Sequence, residues 1–142
     1  MVHALEETRR ILKPDGILID IRPLNGGWPI EVASNGGVKE TGRVDDLPEP
    51  LSADRASNAA MREVEARGWF RREREELFPF FYSWDTPSEM EQFIAEDWSD
   101  FITLGDNQKW ATRSAWATGD ADSRVRVRVK ILITQWRVRK QR

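Results

Sequence analysis

Cysteine and histidine, which serve as zinc ligands and catalytic groups in many proteins, are almost absent from this chain of 142 residues. It has no cysteine and a single histidine, His3. A zinc site needs three or four Cys, His or carboxylate ligands, and a Ser-His-Asp triad needs a positioned histidine. His3 could in principle act as a general base, but it stands beside the first residue, where side chains are usually poorly held. We therefore predict no metal site and no catalytic residue.

Two residues of opposite charge, Asp20 and Arg22, stand at alternate positions near the end of an apolar run. Alternate residues of a strand share one face. In α/β sheets, ligands gather beyond the carboxyl ends of the strands. Two interpretations stay open for this pair: contact with a substrate, or an ion pair within the chain.

Aromatic residues are frequent, with seven tryptophans in the chain. Large aromatic side chains dominate cores and interfaces, and they also line pockets for planar or apolar ligands. Trp28, Phe81 and Trp84 are therefore candidates for contact with a substrate or a partner. The densest aromatic run consists of Phe78, Phe80, Phe81, Tyr82 and Trp84.

The C-terminal end carries a ladder of basic residues at every second position, namely Arg124, Arg126, Arg128 and Lys130. Such a stripe could bind nucleic acid, but the chain as a whole is acidic, with a net charge of −2. Pairing with an acidic strand is the alternative that we favour. We predict that strands 69–84 and 124–137 are antiparallel neighbours and that Arg124–Lys130 face Glu73–Glu76.

Hydrophobic periodicity and turn residues predict the elements that position these side chains. Val125, Val127, Val129, Ile131 and Ile133 should share one face of the last strand. Pro79 should make the strand around it an edge or a bulge. The predicted elements are helix 4–12, strand 17–22, hairpin 28–44, linker 45–50, helix 53–67, strand 69–84, helices 87–104 and 106–118, and strand 124–137.

Composition restricts the class of protein. Hydrophobic residues make up 39% and charged residues 32%, values typical of a globular domain. No apolar run approaches the roughly 20 residues of a membrane span, and the first ten residues lack the apolar region of a signal peptide. We expect residues 1–142 to form a single cytoplasmic domain.

Residues 4–22 read ALEETRRILKPDGILIDIR. This stretch resembles the helix, turn and fifth strand of class I methyltransferases that use S-adenosylmethionine, with Asp15 where glycine is common. The resemblance implies that the strands at 69–84 and 124–137 fill the slots of strands six and seven. The expected fold is therefore α/β: a partial Rossmann-like sheet with strands ordered like 5-7-6, the last antiparallel, plus a β-hairpin and flanking helices.

The family binds its cofactor in the other half of its sheet, at a glycine-rich turn between a strand and a helix. This sequence has no such turn, so we expect no cofactor for the isolated chain and no catalysis by it alone. The resemblance implies a methyltransferase-like domain that acts through self-association or a partner chain. The alternative is a substrate-binding half or subunit of an S-adenosylmethionine-dependent methyltransferase, with the cofactor site completed by another chain.

Strand 17–22 should have one open edge, because the family's fourth strand has no counterpart here. Ile17, Leu18, Ile19 and Ile21 would then lie beside an unpaired row of backbone groups, which is a template for pairing with another chain. We expect a homodimer or a complementary chain as the partner, and neither a membrane nor a nucleic acid.

Overall fold

Four helices and a mostly antiparallel, open sheet make up residues 1–139, the part of the chain that the computed structural model describes. The α/β class is confirmed. Lys140 and Arg142, which belong to the basic C-terminal end, lie outside the described residues. The elements are α1 Val2–Ile11, β1 Ile17–Leu24, β2 Pro29–Ser34, β3 Gly37–Arg43, β4 Asp45–Asp46, α2 Pro48–Ala66, β5 Phe70–Trp84, α3 Pro87–Asp97, β6 Ile102–Thr103, α4 Asp106–Ala117 and β7 Arg124–Val138.

The turn between α1 and β1 follows the predicted pattern. Leu12 is already extended, with φ −67° and ψ 143°. Asp15 takes the left-handed conformation at φ 59°, and the Gly16 amide donates to the Lys13 carbonyl over 2.9 Å. A Cβ at Gly16 would lie 2.9 Å from that carbonyl oxygen, so the tight reversal requires glycine.

Two boundaries differ from the prediction. The expected linker 45–50 contains β4 and the start of α2, because Pro48 suits the first turn of a helix. The helix expected to reach residue 104 ends at Asp97. Ile102 then pairs with Asp46 and is fully buried, so a tertiary strand pair replaces the last two turns of the helix.

The chain divides into two compact units. The first contains Met1–Leu24, Ser52–Phe78 and the chain from Ile131 onward. Its core joins side chains from α1, α2, β5 and β7, and Leu18 of β1 packs against it. In this unit β7 pairs with both β1 and β5. The core residues are Leu5, Ala60, Met61, Val64, Phe70, Trp136 and Val138.

The second unit contains Asn25–Leu51 and Pro79–Lys130. Its β2–β3 hairpin turns between Ser34 and Gly37, as the sequence predicts. β2 also pairs antiparallel with the first half of β7, where Ile30 lies opposite Val127. The buried apolar residues of this unit include Ile30, Val32, Met90, Ile94, Ile102, Val125, Val127 and Val129.

The buried face of β7 changes along the strand, although its five alternate β-branched residues share one face. Val125, Val127 and Val129 are buried, but the pattern then shifts by one position. Leu132, Thr134, Trp136 and Val138 are the buried residues in the first unit, and Ile131 and Ile133 are only half-buried. The change falls where the strand passes from one unit to the other, so each unit selects its own buried set.

β5 has β7 as its only strand neighbour among the described residues, so the edge position expected from Pro79 is confirmed. The predicted partners were wrong. Glu73 contacts Arg137 and Gln135, because antiparallel strands bring the start of β5 to the end of β7. At the other end of β5, Asp85 pairs with Arg124 at 3.1 Å.

Candidate functional site

Asp20 and Arg22 form an ion pair on β1 in the first unit. Nε of Arg22 lies 3.0 Å from Oδ1 of Asp20, and the two side chains are only 14% and 16% exposed. Nη2 of Arg22 donates to Asn58 on α2 over 3.1 Å. Nη1 of the same guanidinium is buried and has no hydrogen-bond partner among residues 1–139. The ion pair is thus present in the structure, and its guanidinium has one donor nitrogen without an acceptor in this range.

The other face of β1 is apolar and accessible. Ile17 and Ile19 are each 47% exposed and Ile21 is 60% exposed, whereas the residues between them are half-buried. β1 has β7 as its only strand neighbour in the described part of the chain. An exposed apolar row beside a free strand edge is unusual in a monomeric protein, since such edges are normally charged or covered.

Trp28 and Trp84 lie in one aromatic cluster in the second unit. Both contact Trp98, which follows α3, at centroid distances of 5.6 Å and 6.2 Å. Tyr82 and Phe93 complete the cluster, at 4.8 Å and 5.2 Å from Trp98. Edge-on ring contacts of this kind are typical of packed cores. The two tryptophans therefore fill space between α3 and the strands.

Phe81 lies apart from that cluster, beneath a charged group. The guanidinium of Arg126 stands 4.2 Å from its ring centroid, a cation–π contact. Arg126 and Arg128 both bind Glu31, at 2.7 Å and 2.9 Å. Glu31 is only 4% exposed. The basic ladder is thus partly neutralised by a buried carboxylate of the hairpin, and not by Glu73–Glu76 as predicted.

Glu31 is not among the predicted site residues, because the sequence predicted hairpin 28–44 without assigning it a partner strand. A usable signal was present. Glu31 stands between Ile30 and Val32, and a lone carboxylate in an apolar strand needs a cationic partner when it is buried. The pairing of β2 with β7 supplies that partner by setting Glu31 opposite Arg126.

Shallow cavities occur in the second unit. One, of about 350 Å³, lies between the hairpin turn and the end of α4, with Ser34, Lys39, Asp120 and Ser123 among its lining residues. Its polar groups bind one another: the Ser34 hydroxyl lies 2.7 Å from Asp120. Another, of about 220 Å³, is mostly apolar and lies beside α3. Within residues 1–139, no group of three or more His, Cys, Asp and Glu residues could hold a metal ion.

The predicted site residues fall into two places. Asp20 and Arg22 belong to the first unit, and Trp28, Phe81 and Trp84 belong to the second. No helix in the described range is long and apolar enough to cross a membrane. No protein-family model, curated protein or solved structure was found to match the chain.

Proposed function

We propose that this chain acts as a methyltransferase-like domain without its own cofactor site, and that it works by association through β1. The observation that carries the proposal is the exposed row of Ile17, Ile19 and Ile21 beside a strand edge with no neighbour in the described range. Covering such a row removes apolar surface from water, and this burial stabilises the complex by roughly 25 cal/mol for each Å².

The order of strands supports the methyltransferase-like part of the proposal. β7 lies between β1 and β5, which is the 5-7-6 order that the resemblance implies. The helix, left-handed turn and strand at residues 2–24 also have the form expected for the motif at 4–22. In the family, the fourth strand occupies the side of the fifth strand that is free in β1.

A second candidate uses the same edge. In it, a complementary chain carrying the cofactor half pairs with β1, and this chain serves as the substrate-binding half of a methyltransferase. The position of Asp20 and Arg22 on β1 favours this candidate, because ligands in open α/β sheets bind beyond the ends of such strands. Binding of S-adenosylmethionine by the complex of this chain with its partner separates the two candidates, because only the second includes a cofactor half.

Substitution of Ile19 tests the proposal. We expect the parent chain to associate at micromolar concentration and Ile19→Arg to abolish association, because a charge on the apolar row cannot be buried unpaired. The matched control is Ile11→Arg, the same change at a 69% exposed residue of α1. Light scattering on a sizing column gives the masses. If Ile19→Arg leaves the mass of a self-associating parent unchanged, β1 is not the surface.

A further inference from the structure

The two charges of β1 are arranged symmetrically about one residue. Asp20 and Arg22 flank Ile21, share one face of the strand and have opposite signs. Ile21 itself is on the other face and is the most exposed isoleucine of the strand, at 60%. Reversing the strand about Ile21 therefore exchanges the positions of the negative and the positive charge.

A strand that pairs with its own copy obeys a simple rule. In an antiparallel pair, residues that lie directly opposite each other are on the same face of the sheet. When the two strands are identical, the two-fold axis therefore passes beside one residue, which lies opposite the same residue of the other copy. With the axis at Ile21, Asp20 of each copy lies opposite Arg22 of the other. Leu18 lies opposite Leu24, and the two Ile21 side chains meet at the axis.

We propose that the partner of β1 is a second copy of this chain, paired antiparallel through β1 with the two-fold axis at Ile21. The inference rests on the association surface proposed above and specifies its partner and register. Two reciprocal cross-strand ion pairs then form next to the axis.

Other registers of the same strand are less favourable. An axis at Asp20 sets the two aspartates opposite each other, which is destabilising. An axis at Ile19 sets Asp20 opposite Leu18 and makes no charge pair. Pro23 lacks an N–H, so the register at Ile21 loses one backbone hydrogen bond on each side of the axis. The two charge pairs and the central Ile21 contact offset that loss.

The free edge of β5 fits a second copy less well. Its residues from Arg71 to Glu76 are all charged. Because the axial residue of a two-fold pair faces itself, any axis within this run opposes two like charges. Charged residues on an edge strand are a known protection against pairing. Charge therefore favours β1 over this part of β5 as the self-pairing edge.

A double charge exchange tests the register without removing the internal ion pair. The variant that carries both Asp20→Arg and Arg22→Asp keeps a pair of opposite charges within each copy. Two copies of this variant also place opposite charges across from each other. A mixed dimer of exchanged and parent chains opposes Asp with Asp and Arg with Arg. We therefore expect both chains to form homodimers and to avoid each other. Since the exchange conserves mass, one chain is labelled with ¹⁵N and the mixture is read by native mass spectrometry.

The expected result is a mixed-dimer fraction below about one tenth, against about one half for random assortment. As a second measurement, the single variants Asp20→Arg and Arg22→Asp should each dimerise about tenfold more weakly alone and recover when mixed. Arg10→Glu is the control, since it removes an exposed ion pair of α1.

Random assortment, or a parent chain that is monomeric at about 100 μM, overturns the inference. If the two chains assort randomly but Ile19→Arg still disrupts the dimers, β1 remains the association surface and only the register is refuted. A monomeric parent refutes the second copy as partner, and the proposed function then depends on a complementary chain. Failure of the register and failure of the surface are thus distinguishable.

Discussion

Glu31 illustrates how a single residue can organise a charged surface. Its carboxylate is nearly inaccessible and binds both Arg126 and Arg128. Removing both arginines would leave this buried charge unpaired, which is strongly destabilising. The ladder is therefore best understood as a structural network of the hairpin and β7. Phe81 stacks beneath Arg126 and extends the same network.

Glu73 makes stability depend on pH. Hydrogen bonds from Arg137, and next from Gln135 and Arg71, lower the pKa of its carboxyl from 4.5 to about 2. Because the folded pKa lies below the unfolded one, this contribution is complete above about pH 4.5 and is lost as pH falls toward 2. We expect Glu73→Gln to lower the melting temperature at pH 6 and to flatten its dependence on pH between 4.5 and 2.

The control for this prediction is Glu76→Gln, which removes an exposed carboxylate paired with Arg74 on the same strand. Circular dichroism melts of both variants and the parent across this range are the measurement. A Glu73→Gln variant with the pH profile of the parent would contradict the prediction.

At the scale of the element, the start of α3 is defined locally. Thr86 is the N-cap: its hydroxyl accepts from the Glu89 amide, and the Glu89 side chain accepts from the Asp85 amide. Pro87 occupies the first turn, where its missing N–H costs nothing. In a capping box the Glu side chain accepts from the amide of the N-cap residue, whereas here it accepts from the amide of the residue before it. The arrangement confirms the helix start predicted from the sequence.

Thr86→Ala should therefore lower the free energy of unfolding by about 1 kcal/mol, the usual cost of losing a side-chain cap. Ser88→Ala is the matched control, because it also deletes one hydroxyl, at an exposed position within the first turn. Urea unfolding followed by tryptophan fluorescence measures both. Equal losses in the two variants would mean that the hydroxyl of Thr86 does not stabilise the helix.

At the scale of the whole molecule, the proposed function predicts that the isolated chain does not bind S-adenosylmethionine up to about 1 mM. The physical reason is the missing glycine-rich turn, whose backbone N–H groups would hold the cofactor in a Rossmann-like fold. Titration calorimetry is the measurement. A micromolar dissociation constant would contradict both candidate functions, since neither places a cofactor site on this chain alone.

Local signals in the sequence determined most of the elements. The α1–β1 turn needs Pro14, Asp15 and Gly16 within a few residues, and the hairpin turn needs Asn35 and Gly36. These requirements act over short stretches of backbone, so composition and spacing suffice to predict them. Alternation of apolar residues likewise indicated β1 and β7, and the edge position of β5 followed from Pro79.

Only the tertiary structure decided which side chains meet. Glu31 binds the arginine ladder because β2 pairs with β7, and Glu73 binds Arg137 because β5 and β7 run in opposite directions. Sliding a strand by one residue exchanges its two faces at no cost in local propensity. Strand register, the shift of burial along β7 and the end of α3 at Asp97 therefore depend on contacts between distant residues. The sequence by itself determined the α1–β1 turn, the hairpin turn and the start of α3, whereas packing determined which strands and side chains become partners.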